Sequence, residues 1–287
     1  MSLFTFFNKI FRKKGKKPDK LKMIIDKGSE IGGSVAGAAI GLVIAGPPGA
    51  IGGAAVGPLI ALAFNKIGTE ISEKFLSHRE QARVGATYTL ALEKISKLIE
   101  DGKRVREDDF YVSNEKGRSK SETLLEGALL KARNEYEEKK LKFYSCFLAN
   151  LSFDDTTSFE KGNTLLRILE QLSYRQIAIL AYFSEIESLS TERWMISFKD
   201  NIELGDCQDF YSELMDLYNQ QLLQQTGGGI SMSVSSLGIS PLGKTMCKLI
   251  DIEHVDSADK TAVIDTIERI KNILRKRATA NTDNKGH

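Results

Sequence analysis

Cysteine and histidine are scarce in this 287-residue chain. The three cysteines, Cys146, Cys207 and Cys247, lie far apart and form no CxxC pair, so the sequence predicts neither a disulfide framework nor a zinc site. There are only three histidines and no HExxH or GxSxG motif, which leaves no basis for a zinc hydrolase or a serine hydrolase. We therefore expect a protein that is not an enzyme and that has no catalytic residues, metal or cofactor.

Charge is missing altogether between Ile31 and Asn65. Within this stretch glycine recurs at every fourth residue in two ladders, which are separated by Pro47-Pro48. The ladder positions are Gly33, Gly37 and Gly41, then Gly49, Gly53 and Gly57. Residues four apart share one face of a helix, so each ladder leaves a stripe of bare backbone on which another helix can pack closely. The sequence predicts a glycine-zipper hydrophobic helical hairpin over residues 28–65, with its turn at the two prolines.

The two arms of this hairpin are short for membrane spans. As helices, the 18 residues from Gly28 to Ala45 and the 16 residues from Gly49 to Phe64 extend about 27 and about 24 Å. The hydrocarbon core of a bilayer is about 30 Å thick. Glycine costs about 1 kcal/mol relative to alanine in an aqueous helix. In lipid the helix is still favoured, because it pairs the backbone groups that would otherwise have no hydrogen-bond partner. Membrane insertion with self-association is therefore favoured, and the alternative is a hairpin buried in a soluble helical core.

A strongly basic segment precedes the hairpin. Residues 1–22 carry eight lysines and arginines against the single acid Asp19, a net charge of +7. Aromatic and aliphatic residues come before the basic run, so residues 1–27 are predicted to form an amphipathic anchor on anionic lipid. The predicted headgroup ligands are Lys13, Lys14, Lys16 and Lys17. The positive-inside rule then keeps this segment, and the chain that follows the hairpin, on the cytoplasmic side of the membrane. A disordered basic tail is the alternative.

Beyond the hairpin, apolar residues recur at helical spacing almost throughout, and the predicted fold class is mainly α. Segment 66–118 is predicted to hold a long helix, from about Thr69 to Glu100, and a polar loop. Segment 119–171 is predicted to be a helical domain, with helices from about Ser121 to Leu151 and from about Phe159 to Gln171. The charged run from Glu135 to Lys140 is interpreted as a solvent-exposed face. Residues 251–287 are predicted to form a C-terminal helix and a basic tail.

Residues 172–250 are predicted to form a winged-helix-like module. Ser173 is a suitable cap for a first helix, and a second helix is predicted from about Gln208 to Gln224. Alternating apolar residues predict a strand over 230–234, and Leu237 to Ile239 are expected to return beside it. Pro241 suits the first turn of a closing helix.

The charge of this module argues against DNA. From Asp200 to Gly243 there is no lysine or arginine, although phosphate contacts supply much of the affinity of a DNA-binding protein. The predicted partner is therefore another protein, whose identity the sequence does not reveal.

One motif points to nucleotide chemistry. Gly238, Gly243, Lys244 and Thr245 fit the GxxxxGK[ST] pattern, in which backbone amides and the lysine cradle phosphate. That loop needs a preceding parallel strand and further βα units, whereas the upstream chain is helical in pattern. The favoured interpretation is the start of the closing helix, and nucleotide binding is kept as an alternative.

A family resemblance extends over about residues 120–250. Its residues are the run from Ala132 to Lys140, the run from Phe147 to Leu151, Leu172-Ser173 with Gln176 and Ile179-Leu180, and the run from Ile239 to Gly243. These motifs resemble the abortive-infection alpha family of bacterial proteins. The resemblance implies a helical phage-immunity protein, tipped by a winged helix, with no assigned catalytic residues. Together with the hairpin, it predicts an effector that self-associates in the inner membrane and perturbs it, and the alternative is a membrane-tethered adaptor.

Overall fold

The computed structural model of the chain describes residues 58–72, 76–115, 117–186, 207–225 and 237–283. Within these ranges the chain is mainly helical, with nine α-helices and one two-stranded antiparallel sheet, which confirms the predicted fold class at this level. The chain divides into two compact units, Met1–Glu170 and Gln171–His287. The predicted segments 66–118 and 119–171 thus share the first unit, apart from Gln171, while 172–250 and 251–287 share the second.

Five helices build the described part of the first unit. They are α1 (Pro58–Ser72), α2 (His78–Glu100), α3 (Lys120–Asn134), α4 (Leu141–Leu151) and α5 (Phe159–Gln171), with 3₁₀ turns at Asp109–Tyr111 and Glu138–Lys140. Helices α2 and α4 pack along each other and bury the large rings of Tyr88, Phe143, Tyr144 and Phe147. The Ser145 hydroxyl of α4 donates to the Thr87 carbonyl of α2 at 3.0 Å, which fixes the register of the two helices.

The long helix predicted from about Thr69 to Glu100 is wrong, because the structure has two helices there. Ser77 has an extended backbone conformation and caps α2 through a reciprocal capping box with Glu80, so the chain leaves the helical region before α2 begins. The end of α2 is where Asp101-Gly102 predicts it. Gly102 has a φ of +79°, and the next amide, of Lys103, bonds back to the Leu98 carbonyl at 2.9 Å.

The helix predicted from about Ser121 to Leu151 is also wrong. It is interrupted between Asn134 and Leu141, where Glu135 and Lys140 are buried rather than part of a solvent-exposed face. Lys140 Nζ lies 2.5 Å from Glu135 Oε2 and donates to the Glu170 carbonyl at 3.2 Å. The Tyr144 hydroxyl also donates to Glu135, at 3.3 Å, so the buried carboxylate is well satisfied.

The loop between α2 and α3 is organised around a buried arginine. Arg106 donates to both carboxylate oxygens of Asp108 and to the Leu151 carbonyl, and its guanidinium stacks 4.1 Å from the centre of the Phe110 ring. The hydrogen bonds from Arg106 hold the pKa of the Asp108 carboxyl below its usual range. A region predicted only as a polar loop therefore has a fixed conformation.

The second unit is centred on α6 (Tyr174–Glu185). Around it lie α7 (Gln208–Asn219), α8 (Pro241–Ile250), a 3₁₀ turn at Ile252–His254 and α9 (Ser257–Asp283). Ser173 caps α6 as predicted, in a capping box with Gln176. The Tyr174 hydroxyl lies 2.9 Å from an oxygen of Asp259, which ties the start of α6 to α9.

The sheet of the second unit differs from the prediction. Strand β1 (Leu223–Gln225) begins where the second helix was predicted to continue, because α7 ends at Asn219 and Gln221 takes a positive φ of 61°. Strand β2 (Leu237–Ile239) pairs antiparallel with β1, with Leu223 opposite Ile239. The strand predicted over 230–234 lies outside the described residues.

Candidate functional site

Helix α1 contains the end of the uncharged stretch of the sequence. Its first eight residues, Pro58 to Asn65, belong to that stretch, and its later residues carry the first charges, Lys66 and Glu70. One face of the helix is buried in the first unit, with exposures of at most 5%. The buried residues are Ile60, Ala63, Phe64, Ile67 and Ile71. The helix packs on α3 and on the 3₁₀ turn Asp109–Tyr111.

The opposite face of α1 begins with two exposed leucines. Leu59 is 53% exposed and Leu62 is 65% exposed, and they lie three residues apart on one side of the helix. Lys66 continues the same side one turn later. The exposed face of α1 thus changes from apolar to charged along its length, at the end of the uncharged stretch.

Phe64 of α1 packs against a buried tyrosine of α2, Tyr88. Its ring meets the Tyr88 ring edge to face, with centroids 5.3 Å apart. The Tyr88 side chain is 1% exposed, and its hydroxyl finds no hydrogen-bond partner within the described part of the chain. Burial raises the pKa of Tyr88, because the phenolate would lose its hydration.

A group of five charged side chains holds α1 to the first unit, and we name it the α1 clamp. Its members are Lys66 and Glu70 of α1, Arg118 of the loop before α3, and Glu122 and Glu126 of α3. Lys66 Nζ lies 2.8 Å from Glu122 Oε2 and donates to the Gly117 carbonyl at 2.8 Å. Arg118 bridges the two helices, with one guanidinium nitrogen on Glu70 and another on Glu126.

The clamp is built on the capped start of α3. Ser119 and Glu122 form a capping box, in which Ser119 N donates to Glu122 Oε2 at 3.1 Å and Glu122 N donates to Ser119 Oγ at 3.1 Å. Glu122 therefore has two partners, Ser119 and Lys66. Each of the three acids of the clamp pairs with Lys66 or Arg118, so we interpret the arrangement as a structural ion-pair network.

The sequence marks Glu122 and Glu126 as acids suited to the first turns of a helix, but it does not predict their pairing in the clamp. Two of the ion pairs, Lys66 with Glu122 and Arg118 with Glu70, join residues about fifty positions apart, and no local pattern signals them. The Ser119-x-x-Glu122 pattern was the one available signal, because a capping box is readable from sequence. It marks the cap at Ser119 and the start of α3 at Lys120, one residue before the predicted start.

The nucleotide-type motif takes a different geometry from a phosphate-binding loop. Strand β2 is antiparallel and ends at Ile239, and the next residue, Ser240, is already the cap of α8. The Ser240 hydroxyl accepts from the Gly243 amide at 2.9 Å, so that amide is engaged within the helix start. Thr245 Oγ1 donates to the Pro241 carbonyl at 3.0 Å, and the Lys244 side chain is exposed.

Gly243 has a structural requirement in this corner. A Cβ at this position would lie 2.2 Å from the Leu222 carbonyl oxygen, far inside contact distance. The same oxygen accepts from the Ser240 amide at 3.0 Å, which joins β1 to the start of α8. These contacts favour the interpretation of residues 238–245 as the start of the closing helix, without a wrapped loop of free amides.

Most of the predicted membrane site lies outside the described residues. This applies to the headgroup lysines Lys13, Lys14, Lys16 and Lys17, to the turn at Pro47 and Pro48, and to all six ladder glycines. The end of the predicted second arm is described, and there Ile60, Ala63 and Phe64 are buried in the first unit. No helix in the described ranges is both long enough and apolar enough to cross a membrane.

No protein family, curated protein or solved structure matches the chain. The resemblance to the abortive-infection alpha family therefore stays a prediction.

Proposed function

We propose that the chain is a non-enzymatic, membrane-associated bacterial protein that acts as a phage-defence effector. In this proposal the N-terminal basic segment and the glycine-ladder hairpin engage the inner membrane, and the two helical units remain on the cytoplasmic side. The hairpin self-associates through its glycine faces and perturbs the bilayer.

One observation carries the proposal: the uncharged stretch from Ile31 to Asn65 includes the first eight residues of α1. Helix α1 is fixed to the first unit by a buried apolar face and by the α1 clamp. A change in the helical units would thus be passed to the hydrophobic segment through one helix. This arrangement supports an effector whose cytoplasmic part controls its membrane part.

The glycine faces provide the test of self-association. We expect the Gly37→Leu, Gly53→Leu double variant to lose its oligomers, measured by chemical cross-linking in membranes, because leucine keeps the backbones of packed helices apart. The matched control is Gly37→Ala, Gly53→Ala, which keeps small residues at both positions and is expected to retain the oligomers. Equal cross-linking of the leucine and alanine variants would contradict the proposed interface.

Membrane association itself is tested by extraction. The full-length chain is expected to stay with cell membranes after sodium carbonate treatment, because a helical hairpin in the bilayer is not held by charge alone. Recovery of the chain in the soluble fraction would contradict the proposal at its base.

A second function, a membrane-tethered adaptor, is favoured by the second unit. We propose that its order of helix, helix, antiparallel ribbon and helix, α6 through α8, is a winged-helix-like module that docks a protein. On α7, Asp209 and Asp216 are exposed, and the sequence from Asp200 to Gly243 offers no cation to a phosphate backbone. An adaptor would bind lipid vesicles without releasing an entrapped dye, whereas an effector would release it.

A further inference from the structure

Residues 58–64 would have to face lipid in the proposed hairpin, but in the structure one side of this segment faces the protein core. Under the proposed function they are the end of the second membrane arm, Gly49–Phe64, and in the structure they are the first turns of α1. Ile60, Ala63 and Phe64 have exposures of 0, 5 and 4% and are covered by the first unit. A side chain that is covered by the protein core cannot face acyl chains at the same time.

The length of the arm makes the conflict quantitative. With α1 docked, only residues 49–57 remain for the arm, and nine helical residues extend about 14 Å. That is roughly half of the hydrocarbon thickness of about 30 Å. Addition of residues 58–64 brings the arm to about 24 Å at about 1.5 Å per residue, which local thinning or snorkelling can accommodate.

We propose that α1 is a releasable helix whose docking on the first unit holds the second arm out of the bilayer, and whose release completes that arm. The inference rests on the proposed membrane function and adds its control. The docked state that the structure shows is then the resting state. The first unit inhibits insertion because it keeps Ile60, Ala63 and Phe64 buried in its core.

Release of α1 has unequal costs at its two ion pairs. When Glu70 departs, Arg118 keeps Glu126, and the Arg118–Glu70 pair that separates is weak because its side chains are 32% and 37% exposed. When Lys66 departs, Glu122 keeps the hydrogen bond from the Ser119 amide but loses its cation at an exposure of only 10%, so this pair carries most of the electrostatic cost of opening. The departing Lys66 is already 41% exposed.

The apolar contacts also favour a releasable helix. Leu59 and Leu62 are exposed while α1 is docked, so its first turns already present an apolar side that lipid would cover. Departure of Phe64 would open the ring of Tyr88, whose buried hydroxyl has no partner among the described residues, toward water. The last uncharged residue of the stretch is Asn65, so Lys66 would lie at the headgroups after insertion.

A covalent lock tests the inference on the full-length chain. A zero-length carbodiimide joins an amine to a carboxylate that already touches it, and Lys66 Nζ and Glu122 Oε2 are 2.8 Å apart. The treated chain is incubated with vesicles of phosphatidylcholine and phosphatidylglycerol, and the fraction that resists carbonate extraction is measured. Mass spectrometry identifies the Lys66–Glu122 link.

The matched control is Glu122→Gln, which cannot form this link but keeps a side chain that completes the capping box with Ser119. Every other lysine and carboxylate pair reacts equally in both proteins. We expect the untreated chain and the treated Glu122→Gln variant to insert, and the linked chain to bind the vesicles but to lose most of its extraction-resistant fraction.

Two different failures can be told apart. If the linked chain inserts as well as the untreated chain, release of α1 is not required and the inference is overturned, while the proposed function stands. If the untreated chain does not associate with the vesicles, the proposed function fails and takes the inference with it.

A second variant shifts the equilibrium between docked and released α1 toward release. Ile71 is 1% exposed and lies beyond the predicted arm, so Ile71→Ala weakens the docking of α1 without changing the inserted residues. We expect a several-fold larger inserted fraction than for Ile264→Ala, a control at an isoleucine with 45% exposure. An equal inserted fraction in the two variants would count against a docked resting state.

Discussion

The first unit and the corner of the second unit fix their turns by different means. In the first unit, charged side chains do this work: Lys140 with Glu135 between α3 and α4, and the α1 clamp between α1 and α3. In the second unit, the corner between β1 and α8 is fixed by backbone groups and one hydroxyl, around Leu222, Ser240 and Gly243. The stability of the first kind of joint depends on charge and on salt concentration. The stability of the second kind depends on the volume of the side chains at the corner.

The charged joints of the first unit also differ from each other. Lys140 and Glu135 have side-chain exposures of 3% and 5%, whereas in the clamp the exposures are 41% and 10% for Lys66 and Glu122, and 32% and 37% for Arg118 and Glu70. A buried pair is costly to break because it leaves an uncompensated charge, and a solvent-exposed pair is worth little. The two ends of α3 therefore carry one permanent joint and one weak joint, and the weak one holds the helix that leads to the hydrophobic stretch.

The buried pair gives the largest expected effect. Lys140→Met is expected to lower the free energy of unfolding by about 3–5 kcal/mol, because Glu135 then stays buried without its cation. Urea denaturation followed by circular dichroism measures the change. In the control Glu135→Leu, Lys140→Met both charges are removed, and stability should return close to that of the unsubstituted chain. If the single and double variants were equally unstable, packing rather than charge would explain the loss.

The corner of the second unit should respond to a single methyl group. Gly243→Ala is expected to cost about 1–3 kcal/mol, because its Cβ would press on the Leu222 carbonyl and the corner must shift. Lys244→Ala is the control, since this side chain is exposed and its loss should stay within about 0.5 kcal/mol. Urea denaturation followed by circular dichroism measures both changes.

Thermal shift with MgATP tests the nucleotide alternative on the unsubstituted chain and on Lys244→Ala. A shift that depends on both ATP and Lys244 would favour nucleotide binding over a purely structural role of residues 238–245.

The sequence predicts helices well where their ends carry local signals. The start of α6 at Ser173 and the bounds of α5 are close to the prediction, because a capping serine or an Asp/Ser/Thr-rich turn stands before each helix. The breaks before α2 and between α3 and α4 were missed, although Ser77-x-x-Glu80 is a capping box and was available. Periodicity alone joined these helices, since an apolar spacing of three and four continues across a short break.

The candidate site was harder to predict than the helices. The ion pairs that join α1 to the rest of the clamp, Lys66 with Glu122 and Glu70 with Arg118, connect residues that are remote in sequence, so they follow from the packing of α1 on α3 and not from any motif. The buried face of α1 was visible as an apolar stretch, but a membrane arm and a buried helix share that composition. The GxxxxGK[ST] match shows that a motif can fit for another reason. The Leu222 carbonyl leaves no room for a side chain at position 243, so glycine is required there by a packing contact that the motif does not describe.

The α1 clamp should give the smallest effect and the clearest dependence on salt. Arg118→Gln removes the bridge between Glu70 and Glu126 and is expected to cost about 0.5–1 kcal/mol at low ionic strength, because both ion pairs are partly exposed. The difference from the unsubstituted chain should shrink at about 1 M salt, where the screening length is about 3 Å.

Arg79→Gln is the matched control, because Arg79 is 71% exposed and pairs with Glu138 at 3.2 Å outside the clamp. We expect a smaller loss there at any salt concentration. The decisive comparison is local: hydrogen exchange of residues 58–72 should accelerate in Arg118→Gln and not in Arg79→Gln, since only the former loosens α1. Uniform acceleration across the first unit would mean that α1 opens only when the whole unit unfolds, and the distinction between a weak and a permanent joint on α3 would be lost.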